Sequence, residues 1–129
     1  MTHKMDDGFK SRLIECGADV DTALGRFMGN ESMYQKFLGR FLDDVNYEKL
    51  GQYLQAGDYE EAYKCAHAMK GVTGNLGLDS LYRRVSDLVE ELRGKAAADV
   101  NAAQADALWQ ELKKVYEQFQ EIIREHLSA

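Results

Sequence analysis

Residues 58–77 read DYEEAYKCAHAMKGVTGNLG. Placed on a wheel at about 100° per residue, Ala62, Cys65, Ala66, Met69, Val72, Thr73 and Leu76 fall on one side. Such a stripe predicts an amphipathic helix with one buried face. Asp58 reads as its N-cap, and Glu61 three residues on makes a capping-box variant. The helix is expected to run to about Gly77. His67 falls roughly 160° from the centre of the apolar cluster, so its ring should face solvent. Tyr63 and Lys64 precede it on that side, and Lys70, Gly71 and Gly74 follow. Each interior glycine weakens a helix by about 1 kcal/mol relative to alanine. Two of them on the histidine's own face point to a purpose beyond folding.

The same helical period fills the rest of the chain. Residues 6–28 read as two short helices broken near Gly17–Asp19. Asn30 opens a helix carrying Tyr34, Phe37, Leu38 and Phe41, and its continuation groups Leu50, Tyr53 and Leu54 before stopping at Gly57. Asp79 is expected to cap the next helix, whose stripe is Leu81, Val85, Leu88 and Leu92. Residues 95–101 form a link. The last helix should be the longest, with Leu108, Leu112, Val115, Phe119, Ile122 and Ile123 on its inner face. Trp109 and the aromatic residues of 34–41 are expected in the core, and His3 and His126 in solvent. Strand alternation is absent, and so is proline. The expected fold is all-α: one domain over 1–129, with a four-helix up-down antiparallel bundle over 30–127. One or more short N-terminal helices over 1–29 would cover it.

Composition narrows the function. The 129 residues carry a net charge of −6, which speaks against nonspecific nucleic-acid binding. No apolar run approaches a membrane span, and the first ten residues hold no signal-peptide core. The two cysteines, Cys16 and Cys65, lack metal-ligand spacing and read as reduced thiols of a cytoplasmic protein. No second histidine sits near His67 at metal-ligand spacing, so no metal site is expected.

An exposed imidazole is largely neutral at pH 7, which leaves one ring nitrogen free as a nucleophile. Phosphoryl transfer to that nitrogen needs positioning and charge neutralisation more than acid–base machinery. Lys70 can supply a point charge to the phosphoryl oxygens. Gly71 removes the side chain one turn above the ring, so a partner's active site can descend onto it.

The run Ala66-His67-x-x-Lys70-Gly71, with Gly77 six residues beyond, resembles the signature of histidine-containing phosphotransfer (HPt) domains. The following LDSLYRRVSDLVEELRG (78–94) looks like the family's second central helix. The resemblance covers about residues 30–127 and is most specific over 62–92. Residues before 30 have no counterpart in it. It implies that His67 is the phosphoacceptor, that Lys70 lies beside the phosphoryl group, and that Gly71 admits a response-regulator receiver domain. Tyr63, Lys64, Gly74, Arg83 and Arg84 are candidates for the docking face. The implied partners are receiver domains and a hybrid sensor histidine kinase. No cofactor is expected, because the divalent metal of this chemistry would belong to the receiver. A monomer is expected, with no autokinase activity, since no Gly-rich phosphate loop is present. Residues 58–95 hold seven acidic and six basic side chains, a nearly neutral region in an acidic chain. Such a face suits an acidic partner. The rival reading is a helical protein–protein adaptor without phosphoryl chemistry, in which His67 is an inert surface residue.

Overall fold

The computed structural model describes residues 5–128. Among them seven α-helices follow in order: α1 Asp7–Glu15, α2 Val20–Arg26, α3 Glu31–Leu42, α4 Asn46–Ala56, α5 Tyr59–Asn75, α6 Asp79–Leu92 and α7 Ala102–Ser128. A 3-10 turn at Ala97–Asp99 lies in the link before α7, and no strand occurs among the described residues. The fold is all-α.

Short polar side chains start most of these helices. Asp6 accepts hydrogen bonds from the amides of Gly8 and Phe9, and Asn30 from that of Met33 at 3.0 Å. Asn101 does the same for Gln104 at 3.0 Å. Asp58 caps α5 through the Glu61 amide at 3.3 Å, but only half of the expected capping box forms. The Glu61 carboxylate turns to Lys64 instead, and the Asp58 amide goes to the Tyr53 carbonyl at 2.9 Å. Asp79 is not the cap of α6. Leu78 holds that place without a side-chain bond, and Asp79 is the first helical residue, where its charge favours the positive end of the helix.

Helices α4 and α5 pack together, as do α5 and α6, α6 and α7, and α4 and α7, so these four close a ring around the core. Links of two residues (57–58) and three residues (76–78) leave packed neighbours no room to run parallel. Helix α3 leans on α7, α1 lies against α7, and α2 bridges α1 and α3. The core face of α5 is as its pattern suggests: Ala62, Cys65, Ala66, Met69, Thr73 and Leu76 are buried, with Val72 at the edge. Leu81, Val85, Leu88 and Leu92 face it from α6. Each such leucine, fully buried, contributes about 2 kcal/mol by removal of apolar area from water.

Two expectations fail at the surface. Phe37 is not a core residue: it remains 37% exposed, with the Arg40 guanidinium over its ring. His126 is not free in solvent. Its ring stacks on Phe9 at 3.8 Å and its Nε2 lies 2.6 Å from Gln35 Oε1, because α1 lies across the end of α7. The expectation for His3 falls outside the described residues. Tyr116, which the sequence pattern passes over, is buried, stacked on Tyr47 at 3.5 Å and edge-on to Phe41.

The end of α5 ties the N-terminal helices to the bundle. Gly77 takes a left-handed backbone (φ 70), and the amides of Leu78 and Gly77 return to the carbonyls of Thr73 and Gly74. These are the two bonds of a Schellman stop. The next carbonyls have no helical partner and are met from elsewhere. Tyr34 donates its hydroxyl to Leu76 at 2.9 Å in the core, and the Asp19 amide donates to Gly77 at 2.8 Å. The α1–α2 loop therefore rests on the α5–α6 turn, and Ser80 fastens it further through the Cys16 carbonyl at 2.7 Å.

Gly57 and Gly77 share a left-handed φ (72 and 70) but not their surroundings. A Cβ at Gly57 meets open space, whereas one at Gly77 would stand 2.6 Å from the Asp19 carbonyl oxygen and 2.9 Å from Ala23 Cβ. Gly57→Ala should lose about 1 kcal/mol from backbone conformation alone. Gly77→Ala should lose about 3 kcal/mol, because the clash adds to it. Urea denaturation of both variants checks this; equal losses would mean the α2 contact yields without cost.

Candidate functional site

His67 lies at the middle of α5 with its ring exposed, on the face opposite Met69 and Ala66. Neither ring nitrogen makes a hydrogen bond among the described residues. The one side-chain neighbour in ring contact is Tyr63, tilted against it with centroids 5.8 Å apart. Arg93 in turn stands over the outer side of the Tyr63 ring at 5.8 Å. The imidazole is thus propped from one side and open on the other.

On the open side is a cleft of about 630 Å³, lined by His67, Lys70, Gly71 and Gly74 of α5. Asp79 and Tyr82 of α6 form one wall, and Arg26 of α2 closes the end. Lys70 makes no ion pair among the described residues, so its ammonium is available to a ligand of the cleft. A Cβ built at Gly71 meets nothing within 4 Å, so the space beside the ring is open to an approaching surface. Gly74 differs. A Cβ there would press on the Tyr82 ring at 3.2 Å, so that glycine serves the packing of α6 as well as the cleft.

Of the other expected docking residues, Tyr63 touches the His67 ring from outside this cleft, and Lys64, Arg83 and Arg84 lie away from it. Tyr63 and Lys64 border a neighbouring groove with Leu92 and Lys95, toward the start of α5. Lys64 is held by Glu61 at 3.1 Å, and that hydrogen bond, with the carboxylate's charge, raises its pKa. Arg83 and Arg84 are exposed on α6 and line none of the grooves around His67. Beside Gly71, Phe37, Phe41, Ala68 and Val72 form an apolar groove between α3 and α5.

Arg26 is the residue that sequence reasoning missed. Its Nη1 donates to the carbonyl of Asn75 at 3.2 Å, which no backbone amide meets at the end of α5, and shares the Gly74 carbonyl at 2.9 Å with the Gly77 amide. Nothing local announces this, since donor and acceptors are 48 and 49 residues apart. The signal in the sequence was indirect: α5 has no basic residue in its own last turn.

Thiol chemistry and metal binding gain no support among the described residues. Burial pushes both thiols, Cys16 and Cys65, up, which leaves them poor nucleophiles. Among the described residues no group of three or more His, Cys, Asp or Glu side chains is placed to hold a metal ion. None of the described helices is long and apolar enough to cross a membrane.

The family model of the Hpt domain matches residues 32–122, which is most of the chain. This protein belongs to the Hpt domain family, whose members are phosphocarrier modules of two-component phosphorelays. The match begins in α3 and ends in α7, so α1 and α2 with Arg26 lie outside it. No curated protein and no solved structure matches the chain.

The two glycines separate helix propensity from packing. Gly71→Ala should raise stability by up to about 1 kcal/mol, because it adds helix propensity without a clash. Gly74→Ala should gain less or lose stability, because the Tyr82 ring must give way. Thermal melts of the two variants read the difference. A loss at Gly71 would mean its surroundings are not open.

Proposed function

We propose that His67 carries a phosphoryl group and exchanges it with the aspartate of a response-regulator receiver domain. The observation that carries this reading is an exposed imidazole with no hydrogen bond among the described residues, beside Lys70 and Gly71 in an open cleft. In the forward step the unprotonated ring nitrogen attacks phosphorus of the aspartyl phosphate. A nitrogen–phosphorus bond forms, the bond from phosphorus to the aspartyl oxygen breaks, and the carboxylate leaves with that electron pair. In the reverse step the carboxylate attacks and the imidazole leaves. Neither direction needs a general acid or base from this chain, which fits a site holding one lysine and no carboxylate–histidine pair. Lys70 offsets charge on the phosphoryl oxygens. The apolar groove of Phe37, Ala68 and Val72 offers contact area to a protein partner beside the reacting centre.

The same reading assigns the divalent metal to the receiver, and no autokinase activity to this domain. It takes a hybrid sensor histidine kinase as a further partner, with the domain acting as a monomer in the cytoplasm, where its two free thiols stay reduced. The adaptor alternative accounts for the groove but gives no role to an open histidine with a free lysine one turn away.

The test is Gly71→Leu with two phosphodonors, a phosphorylated receiver and phosphoramidate, and His67→Gln as the blank. His67→Gln should take up no phosphoryl group while melting within about 2 °C of wild type, since an exposed side chain carries little stability. Gly71→Leu should lose about tenfold or more with the receiver, a loss of about 1.4 kcal/mol in the barrier, and much less with phosphoramidate. Equal losses with both donors would assign Gly71 to the helix or the ring rather than to the partner. Wild-type uptake by His67→Gln would overturn the reading.

A further inference from the structure

The geometry points to Arg26 as a partner-docking residue of the phosphotransfer site, supplied by a helix outside the family domain. The inference rests on the reading of His67 as the phosphoryl carrier. A helix ends in unsatisfied carbonyls worth about half a negative charge, and α5 ends in the cleft that holds His67. Gly74 lies seven positions beyond His67, about 10 Å along the helix. A partner that delivers an aspartyl phosphate to His67 brings a dianionic group to a cleft that ends at these carbonyls. Without Arg26 the Asn75 carbonyl would be bare and would repel it, and Asp79 in the same cleft adds to the repulsion.

Arg26 reverses that sign. Its Nη1 occupies the carbonyls of Gly74 and Asn75, and a full positive charge replaces a partial negative one at the cleft's end. The guanidinium's other donors make no hydrogen bond or salt bridge among the described residues, although its charge also acts on the Asp19 carboxylate, so they remain for an incoming anion. The position is firmly built. Asp19, at the start of α2, bonds to Gly77, and the α2 backbone approaches that glycine too closely for a Cβ. Helix α2 is thereby held where its last residue reaches the cleft. Arg26 and Lys70 then form two positive points along one anion path, the first for approach and the second for the reacting group.

The experiment measures phosphoryl transfer from a phosphorylated receiver at low and high salt for wild type, Arg26→Gln and Arg26→Lys, with phosphoramidate as the small donor. Expected for Arg26→Gln is a roughly tenfold fall in the ratio of receiver to small-donor rates at low salt, shrinking toward twofold in 0.5 M salt. Arg26→Lys should recover most of that ratio, because the charge is kept. An unchanged ratio for Arg26→Gln at low salt would overturn the proposal. So would equal falls with both donors accompanied by a lower melting temperature, which would make Arg26 only a clamp for α2. Failure of the wild type to take phosphate from either donor would instead defeat the underlying reading of His67, and this proposal with it.

Discussion

The carbonyls at the end of α5 are the constraint on which the rest of the structure depends. A helix that stops leaves acceptors it cannot satisfy, and buried or crowded ones must find donors. Here five successive carbonyls, Thr73 to Gly77, are met by the turn itself, by Tyr34 of α3, by Arg26 of α2 and by the Asp19 amide. Each donor fixes an element. The left-handed Gly77 turns the chain into α6, Tyr34 pins α3 against the core, and Asp19 and Arg26 lay α2 over the stop. Burial also raises the Tyr34 pKa, so its hydroxyl stays a donor at any physiological pH. One helix end thus organises both the core and the cover.

That arrangement explains why the site can be so plain. His67 sits two turns before the stop on the exposed side, where the bundle asks nothing of it. The core face of α5 does the holding through Ala62, Ala66 and Met69, all essentially inaccessible. The outer face is left free of bulk at Gly71, and two cations line the cleft beside it, Lys70 from the same helix and Arg26 from another. Stability and chemistry lie on opposite faces of one helix, so either can be altered with little effect on the other.

What the sequence revealed follows the range of the forces involved. Apolar period, caps and glycine stops are set by neighbours within a few residues, so most of the helices, the break near Gly17, the Asn30 cap and the outward face of His67 were legible; the break at residues 43–45, which divides the helix expected from Asn30 to Gly57 into α3 and α4, was not. Contacts between distant segments were not. Arg26 looked like one more surface arginine until α2 was placed on α5. His126 looked solvated until Phe9 of α1 was laid against it. Phe37 fitted the helical stripe of α3, yet that stripe is wider than the surface α7 covers, and its edge stays open beside the site. Asp79 carried the composition of a cap but fell one position inside the helix, because the Gly77 turn already sets where α6 begins.

The central claim is a nitrogen–phosphorus bond on one named residue. Its most direct measurement is to incubate the protein with a phosphorylated receiver domain, isolate it, and follow the bound phosphate in acid and in alkali, with peptide mapping of the label. The account predicts a phosphate that acid releases and alkali does not, confined to the peptide that holds His67. A label stable in acid, or one that maps to any other residue, would contradict it.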